Sequence, residues 1–180
     1  MAFLYSLLFI FILVGAIAIL WIYEYNQLQH TKTKIHQAEC LIDEALRERY
    51  DVLVSADNLL KELLDSKSLF KDLTKLKEEN ISNFDLDRKL NEYVSTLLQI
   101  KNDNKTVGEN KAVKDILNNN KKIDEKLQAA KSYYNKYTSE LNDLIRSFPS
   151  NIVARMHGWE IQTFFDGKNL EDTIVDDFKL

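Results

Sequence analysis

Residues 2–23, AFLYSLLFIFILVGAIAILWIY, form an unbroken run of 22 residues without a charge. At 1.5 Å of rise per residue a helix of that length covers about 33 Å, enough to cross a hydrocarbon core of about 30 Å. The rest of the chain is charged, amphipathic and nearly free of Gly and Pro. The pattern predicts a transmembrane helix over 2–24 that carries a helical domain.

A cleaved signal peptide competes for the same segment. It requires a basic n-region, a short apolar stretch and a small-x-small cleavage site. Ala16-Ile17-Ala18 offers the triplet, but no Lys or Arg precedes it, and Ile19-Leu20-Trp21-Ile22-Tyr23 continues the apolar run beyond it. The uncleaved anchor is the better reading. Trp21, Tyr23 and Tyr25 gather at its downstream end, where amphipathic rings favour the headgroup layer. Lys32, Lys34, Arg47 and Arg49 all lie after the run and none before it. The positive-inside bias therefore predicts a single-pass protein with its N-terminus outside and its domain in the cytoplasm. The lone cysteine, Cys40, excludes an intramolecular disulfide and fits either side.

The remainder has the length of one domain. Four Gly and one Pro in the whole chain leave little turn chemistry for hairpins, so the fold class is all-α. Net charge is −4, and residues 166–180 alone carry five acidic and two basic side chains. That stretch reads as an acidic flexible tail, and the domain over 25–165 is close to neutral. A nucleic-acid binder would show a basic face, and none is present.

Apolar residues recur by seven at Leu28, Ile35 and Ile42, then by seven again at Leu46, Leu53 and Leu60 after a shift of four. This is a helix stripe with a phase shift, running out of the anchor to about Leu64, with a break at Asp65-Ser66. Leu69, Phe70, Leu73 and Leu76 form a second apolar set, and Asn80–Asn83 reads as a loop. Asp85 or Asp87 is suited to cap a helix whose stripe is Leu86, Leu90, Tyr93, Val94, Leu97 and Leu98. Lys101–Gly108 reads as a second loop. A long helix comes next, from about Asn110 to Arg146, with Val113, Ile116, Leu117, Ile123, Leu127, Ala130, Tyr134, Tyr137, Leu141 and Ile145 on one side, and Pro149 stops it. Each helix has one apolar side that must be buried, and short loops make neighbours antiparallel. The expected architecture is an up-down bundle of three to four helices; a coiled coil through a homo-oligomer is the alternative, disfavoured by the broken heptads.

The C-terminal third holds Ala130-Lys131-Ser132-Tyr133-Tyr134-Asn135, then Ile145-Arg146-Ser147-Phe148-Pro149-Ser150-Asn151-Ile152, then Ala154, Gly158-Trp159 and the pair Phe164-Phe165. This order resembles the LemA family of bacterial membrane proteins, whose pattern there is Ala-Arg, Tyr-Asn, Phe-Pro-x-Asn-x-Ile-Ala, Phe-Gly-aromatic and an aromatic pair. Tyr25-Asn26 after the anchor and Leu46-Arg47-Glu48-Arg49 agree with the family's N-terminal part. The family's proline-containing segment after the arginines reads Val52-Leu53-Val54-Ser55-Ala56-Asp57 here, and Leu141-Asn142 stands for a second Tyr-Asn, so this is a divergent member. The resemblance implies an anchored antiparallel four-helix bundle of unassigned biochemical activity, and it implies no enzyme. Members are often encoded near membrane proteases or other envelope proteins, which implies a partner.

No residue is assigned a catalytic, cofactor-binding or metal-binding role, and no cofactor is expected. His30 and His36, six apart, do not share a helix face, and His157 stands alone before Gly158. A di-metal bundle site would require Glu-x-x-His on facing helices, and no such motif is present. Tyr133, Tyr134 and Tyr137 offer an aromatic binding face, or a core edge with rings buried and hydroxyls wet; the second is the ordinary use of such spacing. Asn26, Asn135 and Asn142 are suited to hydrogen bonds between helices. Of Arg47 and Arg49, which do not share a face, one is expected to reach carboxylates of a neighbouring helix and the other to face solvent. Phe148, apolar in a turn, is expected to be buried, pinning the segment Ile152–Trp159 onto the bundle, with Ser150 or Asn151 as its cap.

The function expected on these grounds is a membrane-anchored module, structural or interacting with another envelope protein. The alternative is a non-catalytic or assembly-dependent subunit of a membrane enzyme complex such as a protease. The partners expected are the membrane, crossed once, and a protein; the sequence leaves a homo-oligomer open.

Overall fold

The computed structural model describes residues 1–65, 68–70, 72–77 and 81–166 of the 180. Within them every regular element is helical: α1 (Ala2–Leu64), α2 (Asn83–Asp103), α3 (Lys105–Glu109), α4 (Lys111–Arg146) and α5 (Ser150–Met156), with a 3₁₀ turn at Lys75–Lys77. The tail expected over 166–180 falls, past residue 166, outside the described residues, as do Ser66 of the expected break and Asn80 of the first expected loop.

The first helix is continuous from the apolar run to Leu64, because no proline and no glycine after Gly15 interrupts it. Its end is set by Asp65, whose φ of 44° is left-handed and cannot continue a right-handed helix. Among the described residues this is the one helix long and apolar enough to cross a membrane, and its apolar part is wholly unburied.

The second helix starts differently from the sequence expectation. Ser82, not an aspartate, is the cap: its Oγ accepts from the Asp85 N–H at 3.1 Å and donates to Asp85 Oδ2 at 2.7 Å. Asp85 sits one turn in, where its charge meets the positive helix end, and Asp87 is buried. The loop expected over Lys101–Gly108 is mostly helix. A single residue, Asn104, separates α2 from α3: its N–H bonds to the Ile100 carbonyl and its side chain caps Val107 N–H at 3.3 Å. One residue ends a helix and begins the next, so polar composition looked like loop. Gly108 lets the corner close, since a Cβ there would lie 2.8 Å from the Lys101 carbonyl oxygen. The Asn110 side chain then accepts from Ala112 and Val113 N–H groups and starts α4.

The chain divides into two compact units, Met1–Gln37 with Tyr133–Leu180, and Ala38–Ser132. The second buries Ile42, Leu46, Leu53 and Leu60 of α1, Leu90 and Leu97 of α2, Val107 of α3 and Val113, Ile123 and Leu127 of α4. Each such aliphatic side chain contributes about 1.5–3 kcal/mol. The segment after α1 adds Phe70, Leu73 and Leu76, with Phe70 edge-on to Tyr93 at 5.2 Å. Asp57 holds that segment back on α1: its carboxylate accepts from Ser68 Oγ (2.8 Å), Leu69 N–H (2.9 Å) and Phe70 N–H (3.1 Å), and pairs with Lys61 (2.8 Å). Burial works against its charge, but these hydrogen bonds prevail and hold the carboxyl below its ordinary value.

The other unit centres on Leu28, Ile35, Leu141, Val153 and Ala154, with Trp21, Tyr25, Tyr134, Tyr137, Leu144, Ile145 and Trp159 packed around them. The turn between α4 and α5 departs from expectation. Phe148 is 80% exposed, and Ile152 is exposed as well. A helix of seven residues has one inward face, and Ser150, Val153 and Ala154, at i, i+3 and i+4, fill it. Ser150 is not a side-chain cap for α5. Its hydroxyl instead serves the free carbonyls of Leu144 (2.6 Å) and Ser147 (2.9 Å) at the end of α4.

Candidate functional site

Arg49 is the largest fully buried side chain of the second unit, and it ties three helices. Nη1 donates to Asn91 Oδ1 at 2.7 Å and approaches Asp87 Oδ1 at 3.4 Å on α2, and Nη2 donates to Asp124 Oδ1 at 2.5 Å on α4. Lys131 of α4 reaches the other oxygen of Asp87 at 2.5 Å. Two cations meet two anions, and a guanidinium fork can serve two helices at once where an ammonium cannot. Only Nε lacks a hydrogen-bond partner. Arg47 is exposed and pairs with Asp43 in its own helix. One arginine cross-links and its neighbour faces solvent, as the sequence indicates.

Asn135 and Asn142 act otherwise than expected. Neither bridges helices. The Asn142 side chain, fully buried, grips the backbone of Gln162 with two 2.8 Å hydrogen bonds, one donated and one accepted. Asn135 Oδ1 accepts from Phe165 N–H at 2.8 Å, and the Tyr134 hydroxyl donates to the Thr163 carbonyl at 3.2 Å. Three polar side chains of α4 thus supply the hydrogen bonds that a neighbouring strand would give to residues 162–165, which have no regular structure of their own. Asn26 is exposed.

The tyrosines are a core edge. All three are half-buried; Tyr134 and Tyr137 pack on the core, and the Tyr133 and Tyr137 rings lie 4.6 Å apart. A hydrogen bond between their hydroxyls raises the Tyr137 hydroxyl above its ordinary value.

His157 comes directly after α5, its ring 4.8 Å from Tyr25 and 6.1 Å from Trp21. Gly158 at φ 66° turns the chain, and Trp159 folds back beneath the Lys32 ammonium, 5.0 Å from the ring centre. A polar cavity of about 350 Å³ lies here, lined by Tyr25, Gln29, Lys32, His157, Trp159, Glu160 and Gln162 among others. It brings one ammonium, one imidazole and one carboxylate to a wet surface, without a nucleophile beside a base. His30 and His36 are exposed on α1, and no group of three or more metal-ligating side chains occurs among the described residues. Cys40 is an exposed free thiol.

Sequence reasoning missed Asp57, and it left open which arginine makes the cross-link and that it reaches two helices. The signal for Arg49 was its place: three after Leu46 and four before Leu53, it lies on the buried stripe.

No curated protein and no solved structure matches the chain. A family model does, that of the LemA family, over residues 38–176, more than half of the chain and starting beyond the Tyr25-Asn26 pair. The matched stretch includes Arg49, the Tyr134-Asn135 and Asn142 clamps, and the Phe148-Pro149 turn, and by this match the chain belongs to the LemA family.

Proposed function

We propose that this protein is a single-pass, membrane-anchored helical bundle of antiparallel up-down topology. It serves as a structural or interaction module for another envelope protein and performs no catalysis itself. The observation that carries the reading is a contrast within one helix. Residues 2–20 are exposed on every side, whereas Leu28, Ile35, Ile42, Leu46, Leu53 and Leu60 are buried. A continuous apolar sleeve of that size belongs in lipid, not water. The ion-pair network serves cohesion: Arg49, Asp87, Asp124 and Lys131 neutralise one another across α1, α2 and α4, which favours a bundle. The positive-inside bias of Lys32, Lys34, Arg47 and Arg49 favours a cytoplasmic domain.

The test is photo-crosslinking in intact cell membranes, with a photoreactive residue at the exposed α4 positions Glu125 or Gln128. The expected result is a discrete adduct to one recurring envelope protein, identified by mass. Adducts to lipid alone from both positions would contradict an interaction module. Hydrolysis of peptide substrates by the purified full chain would contradict the absence of catalysis.

A further inference from the structure

The short helix α5 is apolar on both sides. Val153 and Ala154 face the core, while Ile152 and Met156, at i, i+4 on the other side, are 48% and 71% exposed. Phe148, in the turn just before the helix, is 80% exposed. Folding leaves three large apolar side chains of one short segment in the open, a group that has no reason to face water.

Their position says what covers them. The ring of His157, the residue next to Met156, lies tilted against those of Trp21 and Tyr25, and Trp21 belongs to the apolar run that ends at Tyr23. Val153 and Ala154 share a cluster with Leu28, five residues past that end. Five residues of helix span about 7.5 Å, so α5 lies beside the stretch of α1 where the chain leaves the hydrocarbon. The exposed face of α5 therefore stands at the level where the unburied apolar surface of the anchor ends, beside the Trp21 and Tyr25 rings. Arg155 is exposed on the same short helix, and its long side chain can keep its charge among headgroups while the apolar neighbours sink.

We propose that Phe148, Ile152 and Met156 form a second membrane contact, in which α5 lies along the lipid surface and inserts these side chains at the boundary of headgroups and acyl chains. The partner is the bilayer itself. A span alone leaves a helix free to tilt and rotate; a second contact beside it fixes how the attached helices stand on the membrane. This second contact rests on the reading of residues 2–23 as an anchor.

The full chain is placed in phosphatidylcholine vesicles with Cys40→Ser and one environment-sensitive label, on Met156→Cys, Ile152→Cys, Val14→Cys or Thr33→Cys. Val14 lies in the middle of the apolar run, and Thr33 is exposed about 15 Å beyond Tyr23 along α1. Lipids carrying a quencher high on the acyl chain should quench Met156 and Ile152 labels several-fold more than the Thr33 label. Deep quenchers should act on Val14. If the Val14 label is quenched but those on α5 behave like Thr33, the anchor stands and the second contact is overturned. If the Val14 label is not quenched, the anchor reading fails and takes this proposal with it. Phe148→Ser with Met156→Ser, both at exposed positions, should leave Val14 quenching intact and abolish quenching of the Ile152 label. Unchanged Ile152 quenching in that variant would also overturn the proposal.

Discussion

Asn142 holds Gln162 the way one strand holds another. Its Nδ2 donates to the Gln162 carbonyl and its Oδ1 accepts from the Gln162 N–H, each at 2.8 Å, from a side chain with no exposure to solvent. The pair anchors a segment that has no other regular hydrogen bonding. Asn142→Ala should therefore lower stability by about 1–3 kcal/mol, for two lost hydrogen bonds. Asn142→Asp should be no better, since a carboxylate still accepts but places charge against the Gln162 carbonyl. Chemical denaturation gives the first number, and amide exchange at Gln162 shows whether the segment is released. A protected amide in Asn142→Ala would contradict the clamp.

Arg49 offers a ranking. Arg49→Ala leaves a cavity and a buried Asp87 whose one remaining cation is Lys131, beside a long 3.4 Å hydrogen bond from Asn91, and should cost about 3–5 kcal/mol. Asp124→Asn should cost much less, about 1 kcal/mol, because the Asp124 side chain is 46% exposed and the solvated end of such a pair is worth little. Arg49→Lys should fall near alanine, for an ammonium cannot span Asn91 and Asp124 together. Denaturation midpoints at one protein concentration settle the order. Equal losses for Arg49→Ala and Asp124→Asn would contradict it.

Asp57 carries a pH dependence with a definite sign. Its folded carboxyl is held below the ordinary 3.8, so the folded state favours the charged form. The resulting stability is present above that value and is lost as pH falls through the lowered one. Asp57→Ala should cost about 2–3 kcal/mol at neutral pH, for the hydrogen bonds to a charged acceptor. It should also flatten the acid limb of the stability–pH curve below 3.8. An acid limb unchanged in the variant would place the titration elsewhere.

Much of the fold was legible from spacing. Burial in a helix is periodic, and the residues that recur by seven in α1, with the shift of four at Leu46, are those the fold buries. The helix ends at Leu64 and Arg146 were readable because Asp65 and Pro149 act through the local chain. Other features depend on partners distant in sequence. Arg49 occupies a stripe position, but a charge there is tolerated only because Asp87, Asn91 and Asp124 arrive from two other helices. The Asn135 and Asn142 amides look suited to helix contacts, and nothing local shows that an irregular segment some 20–30 residues on will supply the backbone they bind. Phe148 misled because apolar residues in turns are usually covered by protein. Here Ser150 takes the inward place, and pattern alone cannot separate the outward face of α5 from core.

The central claim is that residues 2–23 stay on the chain as its membrane anchor. Extraction of membranes with alkaline carbonate, followed by intact mass measurement of the protein, tests it most directly. The account predicts that the protein remains in the membrane pellet with its N-terminal run intact, while a chain beginning at Asn26 is released. A native protein that begins just after Ala18 and is recovered in the soluble fraction would contradict it.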